Sequence, residues 1–242
     1  MPNLYVSAPL RDGFINSGNQ STWAAARDHA GNALSDNSSA TSNLVGARRF
    51  PSRGGGNLFQ VSRAFYHFNT AGITSISSAT IKIYGYGSST SGSCIAVKST
   101  AFGGDGNSDL VVGDFDAIVG YQTASDLSGS VTEYSSPIES GEWDNTTYND
   151  LTGTSDLVND MRANDDVIIC LMDYNNDYKN EASTDNLYIG AYSTEWGGTS
   201  KDPYIEYALA TGYGNKVLGV DDSNIAKVYG VATADIEKVI GV

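Results

Sequence analysis

The sequence contains few charged residues for its length. Aspartate, glutamate, lysine and arginine together make up 17% of the 242 residues. Surface helices are usually rich in lysine, glutamate and arginine, whereas the polar positions here are mostly serine, threonine, asparagine, glycine and aspartate. Those residue types are typical of turns and of exposed strand faces. The shortage of charge therefore argues against a helical protein and favours many short strands.

Basic residues are scarcer still, with 14 lysines and arginines against 28 acidic residues and a net charge of −14. A protein that binds nucleic acid needs a basic surface to displace counterions from the phosphates. The local cluster of Arg48, Arg49 and Arg53 adjoins Pro51 and a glycine triplet, and we interpret it as a solvated loop. We therefore expect no nucleic-acid partner.

The residues that most often carry catalysis are also rare. The chain has two histidines, His29 and His67, and neither belongs to a metalloprotease motif; serine-hydrolase, paired-cysteine and P-loop motifs are absent as well. We therefore predict that the protein is not an enzyme. Cys94 and Cys170 lie far apart in runs of apolar or small residues, which favours buried thiols, with a disulfide as the alternative.

Long apolar segments are missing too. No run reaches the roughly 18 consecutive apolar residues that suggest a membrane span, so we expect no membrane insertion. The residues after Met1 contain no basic stretch followed by an apolar run, so we also expect no secretory signal peptide.

The residues that are present predict strands through most of the chain. The segment Ala79–Tyr86 alternates apolar and polar residues with a period of two, and bulky or β-branched runs recur elsewhere. One helix is predicted over Ser155–Ala163, with Thr154 or Ser155 as its N-cap. Short strands separated by glycine-rich turns predict an all-β fold, a jelly-roll-like β-sandwich. The further predicted strands are Ala64–Phe68, Ile95–Ser99, Val167–Met172, Asn186–Tyr192 and Tyr204–Leu209.

The C-terminus contains a repeat. The pattern Lys-Val-x-Gly-Val begins at Lys216, Lys227 and Lys238, so its period is 11 residues. We expect a sandwich domain over residues 1–208, a linker over 209–215 and a repeat tail over 216–242.

Each unit of the tail fits a short helical turn, because Ile225 and Val228 lie three residues apart and Gly230 suits a helix end. So few units cannot bury their own apolar side chains. The tail is therefore predicted to dock on a partner or oligomerise, and the alternative is that it folds back on its own domain. The predicted assembly residues are Val217, Val220, Ile225, Val228, Val231, Ile236, Val239 and Val242.

Two segments carry a resemblance to a known family. Arg63–Ile73 has the pattern R-x-F-x-x-F-N-T-x-x-I, and Ser193–Glu195 is followed by Asp202–Glu206 with the pattern D-P-Y-I-E. Residues 10–208 resemble the DNRLRE-type β-sandwich family of jelly-roll modules in secreted polysaccharide-active and surface proteins. The resemblance implies a carbohydrate-binding or structural sandwich without catalytic machinery. The long segment 16–62 departs from the family, whose first loop is usually shorter.

The repeat is similar to tails on structural proteins of tailed bacteriophages. Combined with the expected lack of a signal peptide, this resemblance implies a virion component, such as a head fibre, decoration protein or tail fibre, that is made in the host cytoplasm. Its partners would be other virion proteins or copies of itself, joined through residues 216–242, and cell-surface polysaccharide. The alternative is a bacterial extracellular carbohydrate-binding or adhesion module.

Aromatic residues in or near loops are the candidate glycan ligands, because flat rings stack on the C–H faces of sugars. The alternative is that these rings close the ends of the sandwich. The candidates are Trp143, Tyr148, Tyr174, Tyr178 and Trp196.

Two acidic loops have the alternating oxygen ligands of a calcium site. The loop that begins at Asp105 departs from the standard calcium loop, since Leu110 replaces its turn glycine and Asp116 its bidentate glutamate. We favour polar turns, with Ca²⁺ as the alternative and no other cofactor predicted. The candidate ligands are Asp105, Asn107, Asp109 and Asp116 in one loop and Asp173, Asn175 and Asp177 in the other.

Overall fold

A computed structural model describes residues 1–7, 11–35, 42–195 and 198–210, together with the backbone of residues 227–228 and 231–232. The described chain is mostly antiparallel β-sheet with a few short helices, which confirms the predicted all-β, sandwich-like fold. Every predicted strand is present. None of the described helices is long and apolar enough to cross a membrane.

Eleven strands form one continuous sheet in the described part of residues 1–210. They are β1 (Asn3–Tyr5), β2 (Asp12–Asn16), β3 (Ala33–Ser35), β4 (Ser42–Pro51), β5 (Asn57–Asn69), β6 (Ile76–Ser88), β7 (Ile95–Lys98), β8 (Tyr148–Thr152), β9 (Asp166–Met172), β10 (Asn186–Tyr192) and β11 (Tyr204–Leu209). The α-helices are α1 (Trp23–Arg27) and α2 (Ser155–Ala163).

The sheet folds into two layers because β10 pairs with β6 on one edge and with β4 on the other. The first layer contains β1, β11, β6 and β8, and the second contains β3, β2, β5, β4, β9 and β7. Alternation along β6 places Ile81 and Ile83 between the layers and leaves Lys82 and Tyr84 on the outside. The main core therefore lies between the layers.

The centre of the second layer is buried on both faces. Val167, Ile169 and Leu171 of β9 pack in the main core, whereas Ile168, Cys170 and Met172 pack in a second core on the opposite face. That double burial explains why β9 is a continuous apolar run rather than an alternating one. Cys94 and Cys170 are both buried and unpaired.

A long connection between β7 and β8 covers the second core. It includes two 3-10 helices, Phe102–Gly104 and Val112–Asp116. Phe102, Phe115 and Leu127 are fully buried against the outer face of the second layer. Burial of apolar area stabilises a fold by about 25 cal/mol per Å². Aromatic side chains bury a large area each, so these residues contribute strongly to the stability of the fold.

A buried ion network joins this covering segment to the sheet. Arg63 on β5 donates two hydrogen bonds to Asp177, at 2.7 Å and 2.9 Å, and one to Asp116 at 2.8 Å. Arg27 of α1 donates to the Asp177 backbone carbonyl at 2.8 Å and to that of Ser125 at 2.8 Å. Both guanidinium groups are fully buried. Burial alone would lower the pKa of Arg63, but the charge of Asp177 holds it above its usual value.

Helix α2 begins and ends where the sequence predicts. The hydroxyl of Thr154 accepts a hydrogen bond from the Leu157 backbone N–H, which caps the first turn. Leu157 and Met161, four residues apart, are buried in the main core, so the helix packs across one end of the sandwich.

The described part of the repeat tail differs from the prediction. Strands β12 (Lys227–Val228) and β13 (Val231–Ala232) pair antiparallel, with Val228 opposite Val231. The predicted helical turn is therefore wrong at these positions, because β-branched valine favours extended backbone. The side chains of Val228 and Val231 are outside the described set. So are Val217, Val220, Ile225, Ile236, Val239 and Val242.

The ion network yields a stability prediction. Asp177→Asn should lower the free energy of unfolding by about 3–5 kcal/mol, because it leaves the buried charge of Arg63 without its bidentate partner. The control is Asp109→Asn, which removes the ion pair between Asp109 and Arg11. The side chain of Asp109 is 72% exposed, so this variant should lower the free energy of unfolding by less than about 1 kcal/mol. Denaturant unfolding measures both variants, and equal losses would contradict a structural role for the network.

Candidate functional site

Six tyrosines form a continuous row on the outer face of the first layer, and we call them the tyrosine row. In order of contact they are Tyr5, Tyr204, Tyr148, Tyr84, Tyr192 and Tyr86. The row begins on the edge strand β1, passes over β11 and β8, and continues along β6 and β10. It is the largest group of aromatic contacts in the described residues.

Each ring of the tyrosine row packs against the next. Successive ring centroids are 5.3, 5.0, 5.1, 5.6 and 5.1 Å apart. Four of the five contacts are edge to face, with interplanar angles between 68° and 81°. This is the arrangement that aromatic quadrupoles favour, so each ring restricts the rotation of its neighbours.

Strand register brings these distant residues together. Tyr5 of β1 lies directly opposite Tyr204 of β11, and Tyr84 of β6 lies directly opposite Tyr148 of β8. Directly paired residues share a face of the sheet. Tyr86 follows Tyr84 by two residues on the same strand and therefore lies on that face too.

The two ends of the row are the most accessible to solvent. Tyr5 is 45% exposed and Tyr86 is 51% exposed, while the four tyrosines between them are half-buried. Both end tyrosines are among the few large apolar or aromatic side chains exposed in the described residues. The row therefore offers two exposed rings joined by a partly covered aromatic strip.

Backbone carbonyls hold the middle of the row. The hydroxyl of Tyr84 donates to the carbonyl of Thr146. The hydroxyl of Tyr148 is within 3.1 Å of the Ser200 carbonyl and 3.2 Å of the Asp202 carbonyl. Burial raises the pKa of Tyr148, so this phenol stays a neutral donor. The rings are therefore fixed in position before any ligand arrives.

Charged side chains flank the row on both sides. Lys82 lies 2.6 Å from Asp150 and 3.7 Å from Glu206, so one cation is shared by two carboxylates. On the other side, the Lys201 ammonium lies 4.0 Å from the ring centroid of Tyr192 and 5.0 Å from that of Tyr84. This is cation–π geometry.

A buried carboxyl anchors the segment that follows β10. Asp12 is fully buried and accepts hydrogen bonds from the Thr194 hydroxyl, from the Thr194 backbone N–H at 3.3 Å and from Asn43 Nδ2 at 2.8 Å. Burial raises the pKa of Asp12 to about 7, although these hydrogen bonds oppose the shift. Asp12 thus links β2 to the end of β10 beside Tyr192.

The predicted glycan ligands are scattered. Tyr148 belongs to the tyrosine row. Trp143 is 7% exposed in the main core and Tyr178 is 3% exposed in the second core, so neither ring presents a face to solvent. Tyr174 is half-buried beside Tyr178, with the Lys179 ammonium 4.1 Å from its centroid. Trp196 lies outside the described residues.

The predicted calcium ligands of the first loop have other partners. Asp105 accepts a hydrogen bond from the Asn107 backbone at 3.0 Å, which makes a polar turn. Asp109 pairs with Arg11, and Asp116 pairs with the buried Arg63. These contacts fit the favoured interpretation of a polar turn.

The second loop forms the π-helical turn Tyr174–Tyr178, with Asp173 capping it through a 2.7 Å bond from the Asn176 backbone. Asn175 donates to Ser140 at 3.0 Å, and Asp177 holds Arg63. The described residues contain no group of three or more His, Cys, Asp or Glu placed to hold a metal ion. Calcium binding stays a prediction.

His67 connects three segments of the fold. Its Nδ1 lies 2.5 Å from Ser7 Oγ, and its Nε2 lies 2.7 Å from Asp166 Oδ1. Serine hydrolases use the two nitrogens in the opposite order, with the acid at Nδ1. Gly106, at φ +70°, packs on the ring so closely that a Cβ would come within 2.1 Å of Nε2. These contacts favour a structural role for His67.

Sequence reasoning missed most of the tyrosine row. Tyr84 and Tyr86 fall in the segment Ala79–Tyr86, where apolar and polar residues alternate. They alternate with Ile81 and Ile83, so the pattern already indicated that these tyrosines lie on the face opposite the core. Tyr192 ends the predicted strand Asn186–Tyr192, and it is half-buried in the row. The pairing of β1 with β11 had no local signal.

Comparison with protein-family models and with curated proteins finds no match for the chain. The resemblances noted in the sequence stay predictions.

Buried carboxyls yield a pH prediction. Burial raises the pKa of both Asp12 and Asp173 to about 7 in the folded protein, against about 4 in an unfolded chain. The folded state therefore binds more protons between these values, and the free energy of unfolding falls as pH rises from about 4 to about 7. The fall is on the order of 4 kcal/mol at most for each carboxyl.

The Asp12→Asn variant isolates one of these carboxyls. It should flatten the decline between about pH 4 and pH 7, because an amide does not titrate. Denaturant unfolding across this range measures the slope, with Asp150→Asn as the control for a partly exposed carboxylate. An unchanged slope in Asp12→Asn would show that Asp12 is ionised throughout.

Proposed function

We propose that this protein is a non-catalytic attachment component of a bacteriophage virion that presents the tyrosine row to carbohydrate on a cell surface. The observation that carries the binding part is the row itself. Aromatic rings bind sugars by stacking on their C–H faces, and six linked rings on a sheet face form an extended platform for such stacking. The tyrosines in the middle of the row are already held by hydrogen bonds to backbone carbonyls, so little conformational entropy is lost when a ligand binds.

Other features of the chain fit a binding role. The exposed tyrosines stand on the outer face of the first layer, whereas the outer face of the second layer is covered by the β7–β8 connection. His67 and the acidic loops make contacts that serve the fold. The resemblance of residues 10–208 to polysaccharide-associated sandwiches supports the same class of ligand.

The virion part rests on the repeat of residues 216–242. Its resemblance to tails of phage structural proteins supports assembly with other virion proteins or with copies of itself. The paired strands β12 and β13 suit such a role, because short strands can extend pairing to a partner chain. A bacterial carbohydrate-binding or adhesion module is the second candidate, since the tyrosine row supports it equally well.

A glycan array tests the binding part. The full-length protein should retain a defined set of glycans, and Tyr5→Ala combined with Tyr86→Ala should weaken retention at least about tenfold, since both exposed platforms are lost. Val111→Ala is the matched control, because Val111 is 55% exposed on the opposite side of the fold. Loss of binding in Tyr174→Ala, with the double variant unaffected, would place the site at the other aromatic candidate.

Truncation tests the virion part. Removal of residues 216–242 should leave a folded sandwich with an unchanged unfolding transition and an unchanged glycan profile. The truncated protein should no longer oligomerise or attach to phage particles, as measured by sedimentation and by particle co-purification. Normal assembly without the repeat would contradict the proposed role of the tail.

A further inference from the structure

We infer that the tyrosine row binds an extended, uncharged polysaccharide along its length, rather than a terminal sugar or an acidic glycan. This inference rests on the proposed carbohydrate-binding function and specifies its ligand. Three observations support it: the open shape of the row, the position of its exposed rings and the charge that surrounds it.

The shape of the row suits an extended ligand. A site for a terminal sugar encloses most of its ligand in a concave pocket. The row instead crosses five strands as a strip, and its rings are most exposed at the two ends, where Tyr5 is 45% exposed and Tyr86 is 51% exposed. The pocket next to the end of β11, lined by Ile73, Tyr207 and Leu209 among others, contains none of the row tyrosines.

The position of the exposed rings makes ligand length matter. The two most exposed rings are at opposite ends of the row, with four half-buried rings between them. A short sugar can contact one end ring only. A polymer that reaches both ends gains the second contact at a high effective concentration, so its affinity exceeds that of either contact alone.

The charge around the row selects against acidic ligands. The side chain of Asp150 beside the row is 56% exposed, and that of Glu206 is 26% exposed. Both nearby cations are already engaged, because Lys82 is shared between these carboxylates and Lys201 lies over the rings of Tyr192 and Tyr84. The whole chain carries a net charge of −14. Carboxylates accept strong hydrogen bonds from neutral sugar hydroxyls, whereas they repel uronic acids and sulfated sugars.

The test measures affinity against ligand length and charge with the full-length protein. The probes are neutral oligosaccharides of glucose, mannose and galactose from the monosaccharide to the octasaccharide, and oligogalacturonates of the same lengths. Titration calorimetry should show affinity for at least one neutral series rising about tenfold or more between the disaccharide and the hexasaccharide. Oligogalacturonates should bind at least about tenfold more weakly at low salt.

Single variants separate the two ends. Tyr5→Ala and Tyr86→Ala should each lower the affinity for the longest neutral oligosaccharide strongly, and that for the disaccharide by no more than about twofold, because the remaining end ring still binds the disaccharide. Val111→Ala should change neither affinity. Because both end tyrosines are exposed, the variants should keep the far-ultraviolet circular dichroism spectrum and the unfolding midpoint of the parent protein.

The outcomes distinguish this inference from the proposed function. Binding that is independent of ligand length, or tighter for the acidic series, would overturn the inference while leaving carbohydrate binding intact. The absence of binding to any glycan would overturn both. Self-association that is lost in Tyr86→Ala would also overturn it, because the row would then be an interface between two copies of the chain.

Discussion

The buried pair between Arg63 and Asp177 is the contact on which the arrangement of the layers depends. It joins β5 to the turn after β9, and the same guanidinium also binds Asp116 in the β7–β8 connection. Two buried charges are tolerated only when they are paired and fully hydrogen-bonded, so this connection must close over them. Closure covers the outer face of the second layer. The tyrosine row occupies the outer face of the first layer.

Local patterns were sufficient to predict six of the eleven strands and helix α2. The alternation in β6 and the cap at Thr154 each specify an element from a few neighbouring residues. The second core was not predictable in this way. An arginine in a strand normally indicates a solvent-facing position, and only the long-range partner Asp177 makes burial of Arg63 favourable. The prediction of helical turns in the tail was wrong at β12 and β13, where Val228 pairs with Val231. The three-residue spacing of Ile225 and Val228 did not reveal this pairing.

The candidate site, like the second core, depends on long-range contacts that local sequence patterns do not reveal. Sequence reasoning favoured aromatic residues in loops, yet Trp143 and Tyr178 fill cores, and of the described candidates only Tyr148 contributes to the row. What assembles the row is strand register, which places Tyr5 opposite Tyr204 although they are far apart in sequence. Such pairings are decided by the whole sheet, since a shift of one residue would move each tyrosine to the other face.

The proposed roles of the two parts of the chain depend on each other physically. An open aromatic strip buries little of a ligand, so a single copy gains limited affinity for a polysaccharide. Attachment of a particle to a surface needs slow release, and several weak contacts provide it when they are linked and can engage together. A tail that assembles copies of the chain would supply this linkage. The rigid packing of the tyrosines adds to it, because each copy then presents the same prearranged platform and loses little entropy on binding.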